Sequence, residues 1–450
     1  MEITAQLIQS LQRAIKERDE ASILEVIGDM HPIDIAGIFE NISALEAKYL
    51  YTLMDEEKAA DVITELDEDV REKFMAQLSS REIAEQFVEN LDSDDAADLL
   101  SEFPVARQKE ILSEIEDPEM ASDIVDLLQY DEDTAGGLMA KEMVVIQVDW
   151  DRKQVIEEIR RQAIEIENFY TVYVVDEHHK LLGVLPLKKL LIEPESVRVE
   201  DIYLDKVIFV DVQTSKEEVA HAMSKFDLVA LPVVDQLGRL VGRITIDDVI
   251  DVIQEEAEKD YQLASGLTED VESDDSVWVL TRARTPWLLV GLLGGIIGAN
   301  VIAQYEGQIR IHPEMAYFIP LVAAMGGNAG VQSSAIVVQG LASGRSLRQD
   351  ALLKKFFKEM AVGLLNGVIC ALAIWGYNFF FTGDQVLAFT VGTAMLTVIV
   401  SASVLGTFIP LTLNRFKIDP ALATGPFITT LNDITGMFIY FFIGRLLYGG

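Results

Sequence analysis

The sequence predicts a multidomain protein: an all-α superhelical N-terminal domain, two tandem α/β modules, a connecting helix, and an α-helical membrane domain of five spans. Three observations carry this reading. Charge is divided unevenly along the chain, two segments repeat at two different offsets, and five long apolar stretches crowd the C-terminal part. The expected boundaries are 1–130 for the helical domain, 131–254 for the paired modules (about 139–200 and 201–254), 255–276 for the connecting helix and 277–450 for the membrane domain.

The formal charge of −38 over 450 residues conceals two different compositions. Val277–Gly450 holds seven acids and eleven Lys/Arg, a net of +4, which leaves 67 of the 74 acids and 25 of the 36 basic residues in the first 276 positions, a net of −42. So anionic a surface excludes nucleic acid as a partner and attracts cations. The alternative is a solvated acidic surface that aids solubility. The one cysteine, Cys370, lies in an apolar run, so no disulfide forms within the chain. The start, MEITAQLIQSLQRAIKERDE, reads as a charged amphipathic helix and not as a signal peptide, which places the soluble part in the cytoplasm.

Residues 1–130 repeat. DEEKAADVITELDED at Asp55 matches DSDDAADLLSEFPVA at Asp92, and REIAEQFVENLD at Arg81 matches PEMASDIVDLLQ at Pro118, each at an offset of 37. Apolar residues such as Ala60, Ile63 and Leu66 fall at helical spacing, so stacked helical hairpins are expected. In 139–254 the offset is 59: VYVVDEHHKLLGVLPLKKLL at Val172 matches LPVVDQLGRLVGRITIDDVI at Leu231. Each reads as strand, turn, second strand around a glycine (Gly183, Gly242), then helix, preceded by a further strand and helix. This pair resembles CBS (cystathionine-β-synthase-type) domains, which implies binding of a nucleotide or small ligand, and dimerisation. The second module keeps Gly-x-x-Thr-x-x-Asp as Gly242, Thr245 and Asp248, which makes ATP a candidate ligand. The first module has Pro186 and Lys189 where Thr and Asp would stand. Thr245 and Asp248 read equally as the N-terminal cap of the next helix.

That helix, DDVIDVIQEEAEKDYQLASG, carries Asp248, Asp251, Glu255 and Glu258 on one face at spacings of three, four and three. It is either a solvated stripe or a cation-binding one. Further acids stand at Asp92, Asp94, Asp95 and Asp98 and at Glu217, Glu218 and Asp227. A hard divalent ion that keeps several waters needs only a few such carboxylates.

The five spans are expected near Pro286–Tyr305, Ala316–Leu341, Glu359–Phe381, Val386–Leu413 and Pro420–Tyr448, each with the ~20 apolar residues required. Arg282 and Arg284, then Arg345, Arg348, Lys354, Lys355 and Lys358, then Arg415 and Lys417 mark alternate loops as internal. The orientation predicted is N-terminus in the cytoplasm and C-terminus outside, in a lipid bilayer at the cell's inner membrane.

Within the spans, Gly326, Gly327 and Gly330 surround Asn328 and approach Gln332. They read either as a break in the helix lining a cavity or as a packing face. Gly291, Gly294, Gly295 and Gly298 read as a packing face. Asp433 is the deepest carboxylate, with Thr429, Thr430, Asn432 and Thr435 around it. If Asp419 caps the span and Pro420 opens it, fourteen residues carry the chain about 21 Å inward. An ionised group at that depth marks function unless a counter-ion offsets it. No buried Lys, Arg or His offers itself. A protonated Asp hydrogen-bonded inside the bundle is the alternative.

DEDTAGGLM at Asp131–Met139, PLVAAMGGNAGVQ at Pro320–Gln332 and LNDITG at Leu431–Gly436 are similar to motifs of the MgtE family of magnesium channels and transporters. The resemblance covers essentially the whole chain. It implies a homodimer that takes up Mg²⁺, with Asp433 as the pore carboxylate and Asn328, Gln332, Thr429 and Asn432 as supporting polar groups. It implies too that cytoplasmic Mg²⁺ closes the pore by binding Asp61, Asp94, Asp98, Glu217, Asp227, Asp248, Asp251, Glu255, Glu258 and Asp419, with the connecting helix as a plug. The chain is then not an enzyme, and an intramembrane aspartyl protease would need a second deep carboxylate. An ion-coupled divalent carrier (Mg²⁺/Co²⁺) and a membrane-anchored ligand-sensing regulator are the other readings.

Overall fold

In the computed structural model, residues 4–448 are described apart from 163–165, 167–170, 195–196, 269–270, 272–274, 343–348 and 382. The chain forms two compact units, Met1–Ile253 and Gln254–Gly450.

The first unit begins with ten short α-helices between Ala5 and Leu127. Many of its acids sit where helices start. Ser43 with Glu46 and Ser79 with Glu82 make capping boxes, and Asp19, Asp55 and Asp117 accept hydrogen bonds from first-turn amides. Glu56, Glu57, Asp94 and Asp95 occupy first turns, where the helix dipole favours negative charge. At the centre Tyr51, Phe74 and Phe87 meet edge-on or tilted at 5.5–6.2 Å between ring centroids, with Phe39 5.7 Å from Phe74. The repeat at offset 37 pairs helix Glu56–Thr64 with helix Ser93–Ser101.

Two three-stranded sheets follow: β1 (Val144–Gln147), β2 (Val172–Val175) and β3 (Leu181–Leu185), then β4 (Val210–Asp211), β5 (Ala230–Val234) and β6 (Leu240–Thr245). In both, the first strand runs parallel and the third antiparallel to the middle strand. Asp176 and Asp235, at equivalent positions of the repeat, each close a hairpin by accepting two backbone hydrogen bonds at 2.9 Å. The hairpins join each other through Leu181 N to Gly238 O (3.1 Å) and Leu240 N to His179 O (2.9 Å). One continuous hydrophobic core links the helical domain to the second module: Leu99, Leu100, Ile111 and Met139 pack with Val219, Leu231, Ile244 and Val249. The first module has its own core around Ile146, Val155 and Val174.

Helix Ile246–Ser265 ends at Gly266, whose φ of +85° only glycine adopts without strain. Among the described residues of 255–276, helix runs to Ser265, and the next helix starts at Val277. In the second unit Gly266 lies against Pro426, and Gly425 (φ +52°) against the Ala264 carbonyl, where a side chain at either position would collide.

Five helices there are long and apolar enough to cross a membrane: Val277–Gln304, Pro313–Leu341, Lys354–Phe381, Gln385–Arg415 and Gly425–Tyr448. Arg345 and Arg348, counted among the internal charges, lie outside the described residues. One open alternative is decided, for the packing face, and one expectation is corrected. Gly326, Gly327 and Gly330 do not interrupt their helix, which is continuous over Ile319–Ala342; they instead receive side chains of neighbouring helices. Asp419-Pro420 opens a short 3₁₀ turn, Pro420–Ala423, and the α-helix starts only at Gly425 after an extended Thr424. Asp433 thus stands eight residues, about 12 Å, beyond the true helix start.

The third helix packs on the fourth, the fourth on the second, and the last on the first, second and fourth. Of the first span's glycines, Gly294 and Gly298 face Thr430 and Met437, whereas Gly291 and Gly295 meet nothing within 4 Å. One crossing is backbone on backbone, Gly406 on Gly330, so close that a Cβ on Gly406 would overlap the Gly330 carbonyl. Gly406→Val is expected to cost about 1–3 kcal/mol or more by overpacking, seen as a lower melting temperature of the detergent-purified protein. An unchanged melt would contradict this crossing.

Candidate functional site

Helix Ser93–Ser101, the segment leading into β1, and the start of helix Ile246–Ser265 bring carboxylates together. Asp92, Asp94 and Glu142 place one oxygen each within 4.8 Å of one another. Glu142 is held by Ser93, whose N–H and Oγ–H donate to its two oxygens at 3.1 and 2.9 Å; Ser93 Oγ in turn accepts from Lys141 N at 2.9 Å. Asp94 is 9% exposed. Asp248 accepts from Thr245 N (2.9 Å) and Thr245 Oγ1 (2.6 Å), closing the helix start from within. Arg243 is 5% exposed, with Nη2 3.6 Å from Asp92 Oδ2. Arg71 pairs with Glu102 at 2.5 Å on the far side.

The crowding acts on ionisation. Burial first, then the charges of Asp248, Asp95, Glu142 and Asp92, push the Asp94 carboxyl well above its ordinary range. Asp95 and Asp98, whose side chains still reach solvent, are pushed up to about 7 by the surrounding protein and neighbouring acids, Asp248 among them. Burial also raises Glu142, helped by Asp92, and Asp248, which its bonds from Thr245 oppose. Asp251 is raised by burial and Asp247. An all-oxygen set this short of counter-charge suits a hard divalent cation that retains waters.

In the second unit Asp433 is half-buried in the last helix, with a Cβ built on Gly327 falling 3.6 Å from its Oδ1 and 3.2 Å from Thr429 Cγ2. Thr429 donates to Gly425 O at 2.9 Å. Asn432 is 2% exposed beside Gly330, and its Nδ2 and Oδ1 have no hydrogen-bond partner among the described residues. Asn328 and Gln332 are exposed on the single chain. A second acidic group lies at the base of this helix: Asp419 accepts from Ala421 N at 2.7 Å, and burial, then Asp419 and Glu256, raise the Asp260 carboxyl against the opposing Lys259.

The structure thus joins Asp94, Asp98 and Asp248, with Asp61 acting on Asp95 from the rim. Glu217 and Asp227, at the two ends of helix Lys216–Phe226, are exposed. Glu258 accepts from Gln254 at 3.1 Å. Glu255 and Glu258 lie on the helix face away from Asp260. Of the nucleotide pattern, Gly242 lies against Met139 and Ala140, and Thr245 and Asp248 bond each other. Sequence reading missed Glu142, Asp260 and Arg243. Nothing local marks Glu142, which is 49 residues from Ser93. Asp260 had a signal in its spacing of four from Glu256.

A carboxyl raised in the folded state binds protons there that the unfolded chain has already released. Stability of this cluster is therefore greatest below the ordinary aspartate value near 3.8 and falls as pH rises toward about 7. In Mg²⁺-free buffer, protease resistance of residues 1–253 should fall between about pH 5 and 8 and return at pH 8 on adding Mg²⁺. Resistance that is flat with pH would contradict the crowding.

The family model of the divalent cation transporter MgtE matches residues 319–443, that of the MgtE intracellular N domain 30–133, and that of the CBS domain 135–195 and 199–255. The magnesium transporter MgtE of Thermus thermophilus is 34% identical over 444 residues, 98% of each chain. That of Bacillus subtilis is 33% identical over 315 residues, 70% of each. Among solved structures, the cytosolic domain of the Mg²⁺ channel MgtE in complex with ATP is 36% identical, with a TM-score of 0.50 over 55% of this chain and 100% of that one. From helical domain through CBS pair to membrane helices, the chain belongs to the MgtE family.

Proposed function

We propose that the chain is a homodimeric, Mg²⁺-selective channel or transporter that takes up magnesium and is closed by cytoplasmic Mg²⁺ bound to its acidic domains. The observation that carries the reading is Asp433, a carboxylate inside one membrane-length helix beside Gly327 of a second one. Asp433 from two subunits would hold a hydrated divalent ion loosely enough to release it, with Thr429, Asn432, Asn328 and Gln332 along the path. A membrane potential worth about 2.3 kcal/mol per charge per 100 mV draws the cation inward. Five spans with a cytoplasmic N-terminal domain put the C-terminus outside.

Closure follows from repulsion. Without cations, the acids around Asp94, Asp98 and Asp248 push the helical domain and the second module apart. Mg²⁺ neutralises them, and a second pair at Asp260 and Asp419 fixes the connecting helix at the base of the last span, with Asp61, Asp251, Glu255, Glu258, Glu217 and Asp227 contributing from other faces. Several weak sites acting together shift a two-state equilibrium strongly. The dimer is supported by exposed Phe226, Val229, Ile250 and Ile253 on the second module, an apolar face suited to a second copy. ATP binding by the CBS pair is supported by the relative solved with ATP and by Gly242, Thr245 and Asp248.

Asp433→Ala, purified and reconstituted in liposomes, should abolish Mg²⁺ entry while remaining folded. Normal flux would sink the pore assignment, and flux that requires a proton gradient would favour the coupled carrier.

A further inference from the structure

Four cations at the inner end of the third and fourth membrane helices have no acid to meet. In the first unit Lys48, Arg71, Lys141 and Arg239 each reach a carboxylate. Lys354, Lys358, Arg415 and Lys417 are exposed and make no ion pair or hydrogen bond among the described residues. Helix register gathers them. The two helices, Gln349–Phe381 and Gln385–Arg415, run antiparallel, so that a Cβ on Gly363 would meet Ser403 and one on Gly367 would meet Leu396. Further back along the third helix, Lys358 and Lys354 therefore stand level with the last turns of the fourth, just short of Arg415 and Lys417. Lys417, left-handed at φ +57°, closes that helix; its N–H donates to Asn414 O at 3.1 Å, and Ile418 N donates to Leu413 O at 3.0 Å. This is the end of the bundle where Gly425 meets Ala264, and where the chain arrives from the cytoplasmic domains.

The third helix has two distinct faces here. Lys355, Glu359 and Gly363 share the inward one: Lys355 Nζ lies over Gly340, Glu359 is 6% exposed, and Gly363 packs on Ser403. Lys354, Phe357 and Lys358 share the opposite face, and Phe357 is 59% exposed. Phe416, between Arg415 and Lys417, is 70% exposed. Lys354 and Lys358 belong to the membrane-length stretch Lys354–Phe381, so each must carry its ammonium along an apolar stem to the headgroup level. Aromatic rings set among cations belong at that same level.

We propose that this inner rim is a headgroup site for anionic phospholipid, with the four cations on the phosphate and Phe357 and Phe416 against the upper acyl chains. The lipid is the partner that can reach it. Glu359 is turned inward, and the acidic domains would have to enter the bilayer to meet Lys354 and Lys358. A chain whose soluble part is repelled by an anionic leaflet thereby gains a fixed point of attraction to it, at the base of the bundle. Each Lys or Arg near such a surface strengthens association about fivefold, and the effect weakens with salt.

The test compares phosphatidylglycerol with phosphatidylcholine of the same chain length, bound to the delipidated full chain in detergent and read by native mass spectrometry. The parent should hold phosphatidylglycerol about a hundredfold more tightly, with the preference shrinking at high salt. Lys354→Gln with Lys358→Gln, and separately Arg415→Gln with Lys417→Gln, should each reduce that preference about tenfold. Lys354→Arg with Lys358→Arg should keep it within about twofold, and phosphatidylcholine binding should not change in any variant. Equal binding of the two lipids by the parent overturns the proposal, whether or not the variants fold. So does a preference that survives both neutral pairs. If these cations instead met the chain's own acidic domains, the neutral pairs would leave the lipid preference intact and alter protease resistance of residues 1–253, which also overturns it.

Discussion

Repulsion among crowded carboxylates, from buried Asp94 out to exposed Asp95 and Asp98, is the constraint on which the soluble unit turns. Asp94, Asp95, Asp98, Glu142 and Asp248 come from three separated stretches of chain, and an apolar core running from Leu99 to Val249 forces them together. Each would cost little on an open surface. Packed at the contact between the helical domain and the second module, they raise one another's proton affinity. Apolar contacts draw the two domains together and the crowded acids oppose them.

The membrane unit is governed by a different constraint, the space between helices. Lipid offers no hydrophobic drive for helices to associate, so close backbone approach has to hold them. Gly330 and Gly406 cross without side chains between them, and Gly294 and Gly298 admit Thr430 and Met437. The same economy of volume places Gly327 against Asp433. The glycines around Asn328 therefore position the polar groups of the last helix without breaking their own.

At the base of that helix, two glycines with left-handed backbone, Gly266 and Gly425, let the end of helix Ile246–Ser265 dock beside Pro426. Asp260 and Asp419 are neighbours because of this docking. The docked segment thus sits at the start of the helix that carries Asp433.

Several features were legible in the residues alone. The charge divide, the offsets of 37 and 59, the five apolar stretches and the isolation of Asp433 are all properties of local order and composition, and physical chemistry reads them without a partner in space. Asp176 and Asp235 close equivalent hairpins because the repeat puts the same residue at the same turn. The continuous helix through Gly326–Gly330 and the late start of the last span were not legible, since glycine permits a break without demanding one, and Asp-Pro caps a 3₁₀ turn as readily as an α-helix. Least legible was which acids meet. A stripe at helical spacing pointed to Asp248 but not to Glu142 or Arg243, because charges distant in sequence become neighbours only when apolar packing decides which surfaces touch. Sequence by itself determined where the charge and the membrane lie; tertiary structure alone decided which charges share a site.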